Sequence, residues 1–341
     1  MNAPMSVAFP ARIRLAQLPT PLQPLDRLSA EIGGPRLWVK RDDLTGSALS
    51  GNKVRKLEFS VGEALQQKCD TLISCGGVQS NHCRATAIVG AQVGLHVHLC
   101  LRGTAEELPQ GNLFLDYLAG ATVSYYEPGE YGVRRDEILA EVRDRYARSG
   151  HKAFIIPSGA SDEIGLWGYV AACEELKADC ARLGFAPDHI VCAVGSGGTL
   201  AGLILGNALY DLGATVWSIN VDEDAAYFEE KIRADFEKWK TRYRQGLNVD
   251  ALPINVIEGY LGAGYGQAGP EVLATIRRVA ATEGIILDPV YTGKTFHGLL
   301  NEIERGRFRG AKNIIFIHTG GIFGLLAQHG EFHFNTRASS A

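Results

Sequence analysis

The 341-residue sequence predicts an α/β protein built on parallel β-sheets, and two observations carry that prediction. Short apolar runs alternate with amphipathic helical stretches along most of the chain. The runs themselves are apolar throughout and end in turn residues, as expected of parallel strands covered on both faces and joined by helical crossovers.

In chain order the strand-like runs are "DTLISCGG" (70–77), "HVHLCL" (96–101), "KAFIIPSG" (152–159), "DHIVCAVGSGG" (188–198), "TVWSINV" (215–221) and "KNIIFIHTGG" (312–321). Ligands in such sheets gather at the carboxyl ends of the strands, where these glycine-rich turns fall. The stretch "DFEKWKTRYRQG" interleaves aromatic and basic residues as an RNA-binding strip would. Phe228, Ile232, Phe236, Trp239 and Tyr243 nevertheless recur at helical spacing, which predicts an amphipathic helix packed by its aromatic face. His96 and His98 alternate with apolar residues and read as strand positions rather than ligands. The terminal "TRASSA" reads as a frayed end.

Composition narrows the function classes. At 46% hydrophobic, the chain can bury one large core or two smaller ones sharing a cleft. The formal charge of −4 lacks the basic excess that neutralising nucleic-acid phosphates needs. Seven cysteines between Cys69 and Cys192 are odd in number and lack disulfide-framework spacing, so they read as buried thiols of a reducing cytoplasm. The start "MNAPMSVAFPARIRLAQL" has no unbroken apolar core of signal length, and the most apolar run, "TLAGLILGNALYDLG", is interrupted by Asn207 and Asp211. The expectation is a cytoplasmic protein with a small neutral or zwitterionic ligand and neither a nucleic-acid nor a membrane partner.

Three groups of residues carry chemistry. In "HIVCAVGSGGTLAGL" a buried strand runs into Gly195, Ser196, Gly197, Gly198 and Thr199 and then into a helix, whose free N–H groups and positive dipole end suit one phosphate. It is neither a Walker loop nor a dinucleotide fingerprint, since no Gly-Lys-Ser/Thr follows and Leu200 holds the third-glycine place. A turn needing glycine for backbone reasons alone is the alternative. In "TLISCGGVQSNHCRATA", Ser80, Asn81 and His82 occupy a helix N-cap region, offering hydroxyl, amide and main-chain donors that suit a carboxylate or simply cap the helix. Cys75, His82 and Cys83 fall short of a structural zinc set, so no metal is expected.

Near the C-terminus, "ILDPVYTGK" places Tyr291 and Thr292 after a short apolar strand, and "IIFIHTGG" does the same for Thr319. Tyr265 stands among glycines in "GAGYGQAG". Lys53, in "SALSGNKVRKLE", sits where a turn hands over to a helix, and alone it reads as a solvated surface lysine, as most lysines are, rather than a catalytic one.

Together, "WVKRDDLTG", "SGNKVRKLE", "GGVQSN", "GSGGT", "DPVYTGK" and "HTGG", in that order, resemble the pyridoxal-phosphate enzymes of the tryptophan synthase β type, fold type II. Within them the similarity is to the branch of D-cysteine desulfhydrase and 1-aminocyclopropane-1-carboxylate deaminase, from about Leu18 to about Leu326. The resemblance implies two open twisted, mostly parallel sheets flanked by helices. It divides the chain into a small domain over 56–166 and a large cofactor-binding domain over 1–55 and 167–341, in a homodimer.

It also implies that Lys53 holds the cofactor covalently and moves the Cα proton, with Tyr291 as partner. A lysine near other cations in a partly desolvated cleft is unprotonated near neutrality, as attack on an aldehyde requires. The phosphate falls to Gly195–Thr199 and the ring 3'-oxygen to Asn81. The substrate carboxylate falls to Ser80 with Gln79, Asn81 and His82, and Tyr265 and Tyr291 flank substrate and ring. Thr292 and Thr319 are placed at the pyridine nitrogen. In the deaminase those two positions hold an acid and a leucine, and a tryptophan lies in a region that corresponds to 100–113 here. Their absence favours the desulfhydrase, whose substrate has a good leaving group at the β-carbon, over the deaminase or a lyase for another β-substituted amino acid such as cysteate.

Overall fold

The computed structural model describes residues 7–244 and 246–333; the terminal "TRASSA" lies outside them. Among the described residues the chain forms two sheets. The first has the order β1 (Leu22–Pro24), β2 (Arg36–Lys40), β10 (Asn313–Ile317), β7 (His189–Val194), β8 (Thr215–Asn220), β9 (Asn255–Ile257). It is parallel except for β1, which pairs antiparallel with β2 through Leu22 opposite Lys40. The second is wholly parallel, in the order β5 (Thr122–Tyr126), β4 (His96–Arg102), β3 (Thr71–Gly77), β6 (Ala153–Ile155).

Helices cover both faces of both sheets, which explains why the strands read as apolar throughout rather than alternating. On the first sheet Ile190, Cys192, Ile315 and Ile317 point into a core with α6 (Trp167–Leu183), α7 (Gly198–Leu209) and α8 (Ala225–Tyr243). The alternate residues Val191, Ile314 and Phe316 point into a second core with α1 (Asp26–Ile32), α9 (Pro270–Glu283) and α10 (Thr292–Glu304). The second sheet is covered by α2 (Lys53–Gln66) and α3 (Asn81–Val93) on one face and by α5 (Pro128–Arg148) on the other. Two shorter helices, α4 (Gly111–Leu118) and α11 (Ile322–Ala327), follow β4 and β10.

The six apolar runs all form strands. Four further strands lack their signal: β1 and β9 have three residues each, and β2 and β5 mix charged or polar residues with apolar ones. One expectation needs correcting, because the run before Asp288 joins neither sheet. Ile285 and Leu287 are buried while Ile286 is 43% exposed, a strand-like alternation without a ladder partner. The aromatic face of α8 packs as expected, with Phe228, Ile232, Phe236 and Trp239 buried. All seven cysteines are free and buried. Among the described residues no helix is long and apolar enough to cross a membrane; α7, the most apolar, is a core helix.

Candidate active site

A cavity of about 220 Å³ opens where the carboxyl ends of six strands converge. Gly77 at the end of β3, Arg102 at the end of β4, Gly159 after β6, Gly195 after β7, Asp222 after β8 and Thr319 after β10 all line it, so both sheets contribute. This is the strand-end placement that parallel sheets give to ligands.

Lys53 lines the cavity as the first residue of α2. Two glycines bring its loop against the end of β10. Gly51 has φ 114°, and a Cβ there would lie 2.7 Å from the Thr319 carbonyl oxygen, while one on Gly320 would lie 2.7 Å from Gly51 Cα. With no side chain between them, Asn52 N–H donates to that carbonyl at 3.1 Å, and Asn52 Nδ2 reaches Thr199 Oγ1 at 3.0 Å. Burial lowers the Lys53 pKa to about 8. Of the two expected causes, desolvation and neighbouring cations, burial is the one that lowers it. Lys56, one turn on, is fully buried and more strongly depressed, by burial first and then by the charges of Lys53 and Lys231; its Nζ donates to Ser161 Oγ at 3.2 Å.

The predicted phosphate loop is a helix N-terminus facing the cavity. Gly195, Ser196, Gly197 and Thr199 line it, and Gly197, at φ 85°, takes the N-cap place of α7. Gly198 is the exception: its N–H is held by Ser161 Oγ at 3.1 Å, and that hydroxyl also meets Ser196 Oγ at 2.8 Å. Sequence reasoning missed this supporting loop, Ser158 to Ser161, although "KAFIIPSG" ends in the same turn chemistry as the loops it did select. A Cβ on Gly159 would lie 2.4 Å from Ser196 Oγ and 3.2 Å from Lys53 Nζ, so the space between loop and lysine depends on glycine there.

Ser80 caps α3, accepting from Cys83 N–H at 3.2 Å, and Ser80, Asn81 and His82 all line the cavity. The first backbone N–H groups of α3 have no intrahelical carbonyl and remain for an anion. The His82 ring offers something else. Ser74 Oγ donates to the Ile156 carbonyl at 2.8 Å, so His82 Nε2, 2.7 Å away, donates to Ser74. With its pKa driven well down by burial and then by Lys53, the ring is neutral, and Nδ1 is a buried acceptor without a hydrogen-bond partner. What His82 brings to a carboxylate is therefore its main chain and not its ring. Gln79 departs from the expectation: Oε1 accepts from Asn112 N–H at 3.0 Å and Nε2 donates to the Gln110 carbonyl at 3.1 Å, tying its side chain to α4 rather than to the cavity.

Tyr265 and Tyr291 meet in the cavity, hydroxyl to hydroxyl, with ring centroids 5.9 Å apart. Burial raises both, Tyr265 to about 12, so both are neutral phenols. The two threonines part company. Thr319 lines the cavity, whereas Thr292 is fully buried, donates its hydroxyl to Asp288 Oδ1 at 2.6 Å and accepts from Asp288 N–H at 2.7 Å. Asp288 also accepts from the N–H groups of Val290, Tyr291 and Thr292, so Thr292 belongs to the cap of α10 and not to the cavity wall. The rim residues Arg102, Tyr131, Arg135 and Asp222 were not foreseen. Arg102, at the end of β4, lies 5.6 Å from the Tyr265 ring and 6.0 Å from that of Tyr131, and burial lifts Asp222 to about 6.

An anion cradle at a helix N-terminus, a deprotonatable lysine beside it and a glycine-kept gap between them fit a cofactor that carries both a phosphate and an aldehyde. The comparisons agree. Residues 13–320 match the family described as pyridoxal-phosphate dependent enzyme. The chain is 43% identical over 318 residues to a putative 1-aminocyclopropane-1-carboxylate deaminase of Thermotoga maritima, covering 93% of this chain and 98% of the relative. It is 41% identical to a mitochondrial bifunctional D-cysteine desulfhydrase/1-aminocyclopropane-1-carboxylate deaminase of Arabidopsis thaliana (91% and 78% covered) and 37% identical to a D-cysteine desulfhydrase of Serratia proteamaculans (96% and 99%). A crystal structure of a 1-aminocyclopropane-1-carboxylate deaminase homologue superposes with a TM-score of 0.84 at 36% identity over 95% of both chains. The chain thus belongs to the pyridoxal-phosphate-dependent enzymes of fold type II, in the family of 1-aminocyclopropane-1-carboxylate deaminase and D-cysteine desulfhydrase.

Proposed function

We propose that the protein is a D-cysteine desulfhydrase, which converts D-cysteine and water to pyruvate, sulfide and ammonia by α,β-elimination. Bound pyridoxal phosphate supplies the electron sink that makes the Cα proton removable. Gly195, Ser196, Gly197 and Thr199 hold its phosphate through N–H groups and hydroxyls at the α7 N-terminus. Lys53 would hold it covalently, and its free amine would take the substrate Cα proton, a role suited to an amine that burial keeps near pKa 8. Asn81 donates to the ring 3'-oxygen. Ser80 and the first N–H groups of α3 bind the substrate carboxylate. Tyr291, neutral and paired with Tyr265, hands a proton to the departing side of the substrate.

The observation that carries the choice of substrate is Thr319 in the cavity wall, at the position where the deaminase pattern has leucine. The ring nitrogen would meet the neutral Thr319 there rather than an acid. A sink of that kind serves a substrate with a thiolate leaving group better than one whose carbon ring must be opened. The alternative, 1-aminocyclopropane-1-carboxylate deamination, is favoured by the similarity to the putative deaminase of Thermotoga maritima and needs the same Lys53, Ser80 and tyrosines. A substrate panel of D-cysteine, L-cysteine, D-serine, L-cysteate and 1-aminocyclopropane-1-carboxylate, scored for keto acid and sulfide, tests the choice. Pyruvate and sulfide are expected fastest from D-cysteine; 2-oxobutanoate from the cyclopropane amino acid with no sulfide from D-cysteine overturns the proposal.

A further inference from the structure

Asn112 is fully buried at the start of α4, and the structure fixes which way its amide points. Its Oδ1 lies 3.1 Å from Arg84 Nε, an atom that can only donate. Its Nδ2 lies 3.0 Å from the Gln79 carbonyl oxygen, an atom that can only accept. Either contact alone assigns oxygen and nitrogen, and both give the same assignment. Asn112 Nδ2 therefore donates its second proton to Asn81, 3.1 Å away, and the Asn81 atom facing it has to be Oδ1.

We propose that Asn112, oriented by Arg84, is a positioning residue that sets the amide of Asn81 so that Nδ2, a donor, is what Asn81 brings to the cavity. The proposal rests on the reading that Asn81 meets the ring 3'-oxygen of the cofactor. An oxygen carrying negative charge there is stabilised by a donor and repelled by an amide oxygen, so the orientation of one planar group decides the sign of the contact. Arg84 is itself held: it donates to the carbonyls of Ala48 and, at 2.8 Å, of Ser50, and stands 4.9 Å over the Phe323 ring. Ala48 and Ser50 belong to the loop that delivers Lys53. One buried guanidinium thus indexes both the lysine loop and the Asn81 amide. Gly111, at φ 53°, keeps α4 close enough, since a Cβ there would lie 2.7 Å from Gln79 Oε1 and 2.5 Å from the Phe323 carbonyl oxygen.

A double-mutant cycle on cofactor affinity tests this, with apoprotein titrated by pyridoxal phosphate and binding read from the visible absorption band. Asn81→Ala removes the donor and is expected to weaken binding about tenfold. Asn112→Asp presents a carboxylate to Asn81, which turns its Nδ2 away from the cavity; the loss should equal or exceed that of N81A. In the double variant N112D should add nothing beyond N81A, because its whole effect passes through Asn81. Equal losses from N112D in the wild-type and N81A backgrounds would show that Asn112 acts on the fold and overturn the proposal. An unchanged affinity in N81A also overturns it, by removing Asn81 from the ring oxygen, while the substrate panel above judges the reaction separately. Should N112D not fold, Asn112→Ala is read in the same cycle, with an expected loss of about threefold that again vanishes in the N81A background.

Discussion

Two lysines one helical turn apart, Lys53 and Lys56, illustrate how position rather than residue type assigns chemistry. Both are depressed by burial, but Lys53 opens on the cavity and Lys56 lies behind it against Ser161. A lysine whose pKa is lowered to about 8 is mostly the free amine above that pH and mostly ammonium below it. Cofactor capture by the apoprotein should therefore accelerate as pH rises through about 8 and level off above it. Borohydride reduction followed by peptide mapping should place the adduct on Lys53. A midpoint near the ordinary lysine value, or an adduct on Lys56, would contradict the assignment. Thr292 makes the complementary point: the family resemblance implied a ring contact, and the buried carboxylate of Asp288 took its hydroxyl instead.

At the scale of an element, the α7 N-terminus combines free N–H groups, a positive dipole end and a glycine at φ 85°, and each serves an anion. Gly197→Asp places a carboxylate against the bound phosphate and forces a side chain into a left-handed backbone, at a folding cost of roughly 1–2 kcal/mol. The expected outcome is a cofactor affinity reduced at least 100-fold in a protein whose thermal midpoint falls only a few degrees. Normal affinity would put the phosphate elsewhere, and a protein unfolded at room temperature would make the loop a structural element only. The α3 N-terminus works on the same principle, with Ser80 capping it and the N–H groups of Asn81 and His82 without an intrahelical carbonyl.

Across the whole molecule, a buried ionic cluster ties the Lys53 helix to both the first sheet and α6. Arg55 donates to both oxygens of Asp42 and of Glu175 and to Thr20 Oγ1, Tyr169 donates to Asp42, and Lys40 bridges to Glu175 and Asp179. Burial alone would raise Asp42, yet the charge and hydrogen bonds of Arg55 hold it below the usual carboxylate range. Its contribution to stability is thus complete above its unfolded pKa and is lost as pH falls through the lower folded value. Arg55→Met leaves Asp42 charged, buried and deprived of its guanidinium, which should cost roughly 3–5 kcal/mol in urea unfolding, with Asp42→Asn in the same chain restoring part of the loss. A loss below about 1 kcal/mol would mean that water or side-chain rearrangement satisfies Asp42 without Arg55.

The sequence by itself determined the fold class, because parallel strands covered on both faces must be apolar throughout and their crossovers must be amphipathic. It also determined the loops that carry Lys53, Ser80, Gly195 and Thr319, because glycine and small polar residues at strand ends announce backbone geometry locally. Gly159 and Ser161 fell in a loop with the same signal and were passed over because nothing nearby in sequence marked them as partners of Ser196. Only the tertiary structure decided the rest. Whether Thr292 faces a cavity or Asp288, whether Gln79 reaches substrate or α4, and which end of the Asn81 amide is free all depend on hydrogen-bond partners brought in by other elements. Such partners are fixed by packing in three dimensions and leave no period or spacing in the chain.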